Sequence, residues 1–200
     1  MSVQSELPTG FNVMFAGNIG SAQSFETIIS AAERLKDHRA IHWIILGDGN
    51  MKSWMAEQAR RRGLELQLHL LGSRPTDTMP GYFAAAGALL VTLRADPVFA
   101  LTVPSKIQSY LACGKPVIAA LNGEGASIVT ESAAGISCPA EDPDKPAGAV
   151  LTLYEMSEIQ RVTMGGNART YFELNFERDM LLDRLERWMF ETAGKKSCAF

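Results

Sequence analysis

Short apolar runs alternate with amphipathic stretches along most of this 200-residue chain. Phe11–Ala16 is apolar at nearly every position and stops at Gly17-Asn-Ile-Gly20, the pattern of a strand covered on both faces. Over residues 24–35, Phe25, Ile28, Ile29, Ala32 and Leu35 recur at helical spacing and predict an amphipathic helix. The same pairing then repeats. Ile41–Leu46 closes at Gly47-Asp-Gly49 and precedes a helix over 51–62, stopped by Gly63. Residues 66–71 form a third strand that ends at Gly72-Ser-Arg-Pro75. A short helix over 76–86 follows, with Met79, Tyr82 and Phe83 inward. Residues 88–93 read as a fourth strand, followed by a long loop over 94–103.

The stretch 101–120 combines that loop's end with a helix, a tight turn and a buried strand. Pro104 suits a first helical turn, and Ile107, Tyr110 and Leu111 give the helix an apolar face. Gly114 supplies a left-handed stop, Pro116 forbids continuation, and Val117–Ala120 is a fifth strand. A helix N-terminus therefore falls at Pro104-Ser105-Lys106, where free N–H groups, the helix dipole and a lysine suit an anion such as phosphate. An ordinary helix–strand corner with a solvated lysine fits those residues as well. Beyond it come a helix over 124–133 and a sixth strand over 135–139. Three helices, over 143–156, 159–174 and 177–192, complete the pattern, and 197–200 carries none.

Six strand–helix alternations with short loops predict a single α/β domain, residues 1–200, whose parallel sheet is covered by helices on both faces. Ligands of such sheets lie at the carboxyl ends of the strands. Here those ends are 17–20, 47–49, 72–75, 94–103 and 121–125, and four of the five contain glycine.

Composition narrows the function classes. Apolar residues make up 46% and charged residues 20%, and the net charge of −3 offers no basic field for nucleic acid. No apolar run reaches the length of a membrane span, and residues 1–10 lack the apolar core of a signal peptide. Cys113, Cys138 and Cys198 are odd in number and widely spaced, which argues against a disulfide framework or a zinc site and fits a reducing cytosol. Cys113 and Cys138 read as buried core thiols, with Cys198 on the tail and reactive.

Several kinds of chemistry are missing. The chain has no Gly-x-Ser-x-Gly elbow, no P-loop and no His-Glu-x-x-His. His38, His42 and His69 read as satisfied or surface histidines. Asp142-Pro-Asp144 is better explained as a helix N-cap than as a metal motif. Gly17-Asn-Ile-Gly20 falls short of a dinucleotide fingerprint, and Gly47-Asp-Gly49 alone is common turn chemistry. No acid–base pair declares itself.

Taken in order, five motifs are specific together: Phe-Ala-Gly-Asn-Ile-Gly, Ile-Leu-Gly-Asp-Gly, Leu-Leu-Gly-Ser-Arg-Pro, Ala-Gly-Ala-Leu-Leu-Val-Thr-Leu, and Pro-Ser-Lys-Ile-Gln-Ser-Tyr-Leu-Ala-Cys-Gly-Lys-Pro-Val-Ile-Ala. Over residues 11–176 the chain resembles the C-terminal, donor-binding half of GT-B glycosyltransferases of the glycosyl transferases group 1 family. The resemblance is strongest to bacterial members that add sugars such as N-acetyl-fucosamine to O-antigen or capsule. It implies a Rossmann-like three-layer α/β/α domain with a six-stranded parallel sheet, half of a GT-B fold, and a helical C-terminus. It further implies a UDP-sugar donor bound without metal or other cofactor. The acceptor, a glycan or lipid-linked sugar, would be held by an N-terminal domain absent from this chain, so that this half alone is inactive. Cytoplasmic residence, peripheral to the inner membrane in the full-length protein, goes with that role.

By the same resemblance, Gly17 and Asn18 approach the donor diphosphate, and Gly47 and Asp48 lie at the second strand's end. Ser73 and Arg74 lie where main-chain groups meet the nucleobase. Phe99, Ala100, Leu101, Thr102, Pro104, Ser105 and Lys106 match the loop and helix start that hold diphosphate and sugar. There are departures. The family's Arg and Lys of the first turn are Asn18 and Gln23 here, and its paired glutamates fall on Leu101 and Ser109. Lys106 is the candidate to restore the lost charge, and Ser109 or Gln108 to contact the ribose; a weakened or altered donor site fits the same departures. Two other readings compete, half of a sugar-nucleotide epimerase and a non-catalytic Rossmann-like module for regulation or assembly.

Overall fold

The computed structural model describes residues 3–196. In chain order the elements are β1 Phe11–Ala16, α1 Phe25–Arg34, β2 Ile41–Leu46, α2 Lys52–Arg61, β3 Leu68–Gly72, α3 Met79–Ala85 and β4 Ala88–Thr92. They continue with α4 Pro97–Ala100, α5 Ser105–Ala112, β5 Val117–Ala120, α6 Glu124–Glu131 and β6 Gly135–Cys138. Three helices close the described chain: α7 Asp144–Glu155, α8 Glu158–Asn175 and α9 Arg178–Lys196.

All six strands join one parallel sheet in the order β3-β2-β1-β4-β5-β6. Strand order reverses between β1 and β4, so a crevice opens at their carboxyl ends. β1 and β2 pair along their full length, from Phe11 opposite Ile41 to Ala16 opposite Leu46.

Alternation along the strands divides the core into two layers. Phe15, Trp43, Ile45 and Leu90 point to one face and pack with Phe25, Ile28 and Ile29 of α1 and with Val150 and Leu153 of α7. Met14, Ile44, Val91 and Ala119 point to the other and meet Tyr82 of α3 and Ile107, Tyr110 and Leu111 of α5. The expected inward face of α1 is buried at every position, including Leu35 just beyond its end. No helix among the described residues is long and apolar enough to cross a membrane.

The structure corrects several local expectations. β3 begins at Leu68 rather than residue 66, because Leu66 is 75% exposed and cannot serve as a core position. The loop after β4 contains one short helix, α4, whose Asp96 cap accepts the Val98 N–H at 2.7 Å. Pro104 sits one place before α5, with extended ψ, rather than inside its first turn. Pro143 occupies the N-cap of α7; the Asp142 carboxylate instead accepts the Asp144 N–H at 3.0 Å. Cys138 is buried, but Cys113 is only half-buried at the end of α5. Burial raises both thiol pKa values, that of Cys138 to about 11. Cys198 lies outside the described residues.

His38 is on the surface, whereas His42 and His69 face each other across β2 and β3 with ring nitrogens 3.3 Å apart. Burial first, and then the His42 charge, hold the His69 pKa below the usual imidazole value. Among the described residues no group of three metal-ligating side chains forms around them.

Two adjacent glycines in α8 test the packing. A β-carbon on Gly165 would lie 2.2 Å from the Gly114 carbonyl oxygen, whereas one on Gly166 would meet nothing within 4 Å. Gly165→Ala is expected to lower stability by more than about 2 kcal/mol through backbone overpacking. Gly166→Ala should raise it by roughly 0.5–1 kcal/mol through helix propensity. Urea midpoints of the two variants check this, and equal midpoints would mean that α8 is misplaced on the α5–β5 turn.

Candidate functional site

Two glycine turns lock the carboxyl ends of β1, β2 and β3 together. Gly17 N–H donates to Leu46 O at 2.9 Å, Gly47 N–H donates to Gly72 O at 3.0 Å, and Ile19 N–H donates to Asp48 O at 2.8 Å. Gly17 and Gly47 both take positive φ, 142° and 138°. A β-carbon on Gly47 would lie 1.8 Å from the Gly17 oxygen, so no side chain fits between the turns. Asn18 is exposed above this lock, its amide lying over Gly20 and Gly49.

Lys106, in the first turn of α5, crosses over Gly17. A β-carbon on Gly17 would lie 2.6 Å from Lys106 Cε, so the glycine leaves room for the lysine stem. The Nζ donates to Gln23 Oε1 at 3.2 Å and stands 5.2 Å from the centre of the Phe15 ring. Among the described residues it makes no ion pair with a carboxylate. Burial lowers its pKa, the mark of an ammonium half removed from water without a compensating anion. One turn further along α5, the buried Tyr110 hydroxyl accepts the Ala16 N–H at 3.0 Å and fixes the end of β1 beside the lysine.

These turns open into a cleft of about 440 Å³. One wall is Ala16, Gly17, Asn18, Leu46, Gly47 and Asp48; the other is Ser73, Arg74, Met79 and Phe83. Phe83 stacks edge-on against Tyr110, with ring centres 5.4 Å apart. The Asp48 carboxylate accepts the Gly49 N–H at 2.8 Å and pairs with Lys52 at 3.1 Å. The Gly49 bond, then Lys52, hold its pKa below the usual carboxylate value, so Asp48 is an ion and not a proton donor at neutral pH. Arg74 is committed inside the protein, to Glu6, Tyr82 and the Leu71 carbonyl.

Six of the residues expected from sequence therefore share one cleft: Gly17, Asn18, Gly47, Asp48, Ser73 and Arg74. Lys106 joins them through its contact with Gly17. Phe99, Ala100, Leu101, Thr102, Pro104 and Ser105 do not line that cleft. They form the neighbouring loop, where Phe99 is half-buried against the core, Leu101 is 81% exposed, and the Ala100 carbonyl abuts Gly123. Ser109 Oγ donates to the Ser105 carbonyl of its own helix at 3.2 Å. Sequence reasoning missed Ala16, Leu46, Met79 and Phe83 as lining residues and Glu6 as the partner of Arg74. Nothing in the local pattern around Glu6 marks it, since its partners lie 68 and 76 residues away.

A doubly wound parallel sheet with paired glycine turns and a buried-stem lysine at its switch point defines a Rossmann-like domain with an anion-suited cleft. The chain belongs to the glycosyl transferases group 1 family, whose sequence model matches residues 10–156. It is 29% identical over 175 residues to the probable glycosyltransferase WbjE of Pseudomonas aeruginosa, covering 85% of this chain and 42% of that protein. Over 112 residues it is 31% identical to the putative colanic acid biosynthesis glycosyl transferase WcaI of Escherichia coli K12, covering 56% and 27%. Among solved structures, HepE of Anabaena in complex with UDP superposes with a TM-score of 0.82 at 21% identity, over 94% of this chain and 50% of that one. The chain thus spans less than half the length of the curated relatives it matches.

Tyr110→Phe tests the wall behind the cleft. Losing the hydroxyl leaves the Ala16 N–H without its acceptor, which is expected to cost about 1–3 kcal/mol of stability. Thermal and urea unfolding measure it, and an unchanged midpoint would show that this hydrogen bond does not hold the end of β1.

Proposed function

We propose that this chain binds the nucleotide-sugar donor of a glycosyltransferase, with the diphosphate of a UDP-sugar at Lys106 and the Gly17 turn. The observation that carries this is the Lys106 ammonium: half-buried, without a carboxylate partner among the described residues, and held over a glycine turn beside a helix N-terminus. A diphosphate supplies the missing anion, and the main-chain N–H groups of the α5 start add to it. Names of relatives support the ligand class, since HepE is a UDP complex.

Donor binding needs no metal here, because the charge is met by lysine and amides. Donor transfer would require a second half supplying the acceptor, a polysaccharide or lipid-linked glycan of the bacterial surface such as O-antigen or capsule. WbjE and WcaI are probable and putative glycosyltransferases, the latter of colanic acid biosynthesis, which fits that setting. We place the reaction in the cytoplasm, at the inner membrane face.

Affinity of the parent chain for UDP should be modest, since Asn18 and Gln23 carry no charge. Lys106→Ala is expected to weaken UDP about ten- to a hundredfold, the worth of one charge-assisted contact. Stability should hold or rise. A lysine whose pKa is lowered on folding disfavours the native state below that pKa, and the penalty fades as pH rises through it toward the unfolded value. Binding shows the opposite sign: UDP affinity falls as pH rises through the lowered lysine pKa, and the alanine variant loses that dependence. Calorimetry with UDP, with and without magnesium, together with melting temperatures, reads all of these. No heat from millimolar UDP would overturn the donor role, and equal affinity in the variant would remove Lys106 from it.

A further inference from the structure

We propose that Glu6 is a positioning residue for the nucleoside end of the cleft, holding the turn at 73–75 through Arg74 and Tyr82. Three donors converge on one Glu6 carboxylate oxygen. Arg74 Nη2 and the Tyr82 hydroxyl each reach Oε2 at 2.8 Å, and Arg74 Nε reaches it at 3.3 Å. Arg74 Nε also donates to the Tyr82 hydroxyl at 2.9 Å, and Nη1 donates to the Leu71 and Ser73 carbonyls at 2.6 and 3.3 Å. One guanidinium thus ties both sides of the β3–α3 connection to a residue that precedes β1.

Glu6 is held in place by its own segment. Val3 and Leu7 pack on the α3 face of the core, and a β-carbon on Gly81 of α3 would lie 3.2 Å from Val3 Cγ2. Asn12 of β1 donates to the Pro8 carbonyl at 3.1 Å, which pins the other end. The carboxylate is therefore delivered by a packed strap rather than by a free side chain. Hydrogen bonds from Tyr82, then Arg74, hold the Glu6 pKa below the usual carboxylate value, so the strap stays charged through neutral pH. Its contribution is present above the unfolded carboxylate pKa and is lost as pH falls through the lowered one.

The consequence follows from the two ends of the cleft. Resting on the donor role proposed above, the diphosphate lies at Lys106 and Gly17, and the nucleoside extends toward Ser73, Met79 and Phe83. Glu6 does not itself line the cleft and reaches its nucleoside end only through Arg74 and Tyr82. Its loss should loosen the turn at 73–75, weaken ligands that carry a nucleoside, and leave bare diphosphate unaffected.

Calorimetry on the parent chain, Glu6→Gln and Tyr82→Phe, each with UDP and with inorganic pyrophosphate, separates these effects. Glu6→Gln is expected to weaken UDP about two- to thirtyfold, the range over which residues without ligand contact tune a site. Pyrophosphate should bind the variant as it binds the parent. Tyr82→Phe, which removes one donor from the same carboxylate, should shift UDP in the same direction by less. Amide exchange across 73–79, measured without ligand, should speed up in both variants. Unchanged UDP affinity, or equal losses for UDP and pyrophosphate, would overturn the positioning role. Unaltered exchange would overturn the clamp whatever the ligands do. A parent chain that fails to bind UDP would overturn the donor role itself, and the ligand-free exchange data tell that failure apart from failure of the clamp.

Discussion

The close approach of Gly47 to the Gly17 carbonyl is the constraint from which the site is built. Parallel strands bring their carboxyl ends to one edge, but ordinary residues there would hold the turns apart. With no β-carbon on Gly47, the β1 and β2 turns share hydrogen bonds through Gly17, Leu46, Ile19 and Asp48. The first turn then stays low enough for Lys106 to reach across it from α5. A β-carbon on Gly17 would block the lysine stem directly, and one on Gly47 would push the two turns apart.

Charge in this cleft is distributed unevenly, and the unevenness has a cause. Asp48 and Arg74 both line it, yet both are already matched within the protein, one by Lys52 and Gly49, the other by Glu6. Among the described residues, Lys106 has the neutral Gln23 amide and the Phe15 ring and no carboxylate. An amide and an aromatic face stabilise a cation less than a carboxylate does, so the lysine retains most of its attraction for an incoming anion. A carboxylate in place of Gln23 would anchor the lysine and cancel that attraction.

Much of the fold was legible because buried parallel strands are uniform apolar runs. Phe11–Ala16 and Ile41–Leu46 begin and end where their patterns do. Legibility failed where apolar residues face water, as Leu66 does, and where four residues suffice for a helix, as in Pro97–Ala100. The candidate site was legible at its glycines, whose spacing from strand ends is visible in the chain. It was not legible in Glu6, since a carboxylate meeting a guanidinium 68 residues away leaves no local trace. Ser109 makes a different point. A serine at a suggestive position bonds to its own helix backbone, the usual fate of a hydroxyl one turn after a carbonyl.

What the cleft can contribute to group transfer follows from the groups it holds. Asp48 is kept ionised, and the Tyr110 hydroxyl is buried with its pKa raised, so neither side chain is poised to exchange a proton with a substrate at neutral pH. A cation and a helix N-terminus at Lys106 do something different. When a glycosyl–phosphate bond breaks, negative charge grows on the departing diphosphate, and fixed positive groups stabilise that state more than the intact donor. On the donor role proposed above, Lys106 then counts twice, once in binding and again as the bond lengthens. Glu6 acts earlier in the same sequence, since a nucleoside held in register sets where the diphosphate lies against the lysine. The two residues do not touch, so on that reading it is the donor bound along the cleft that links them.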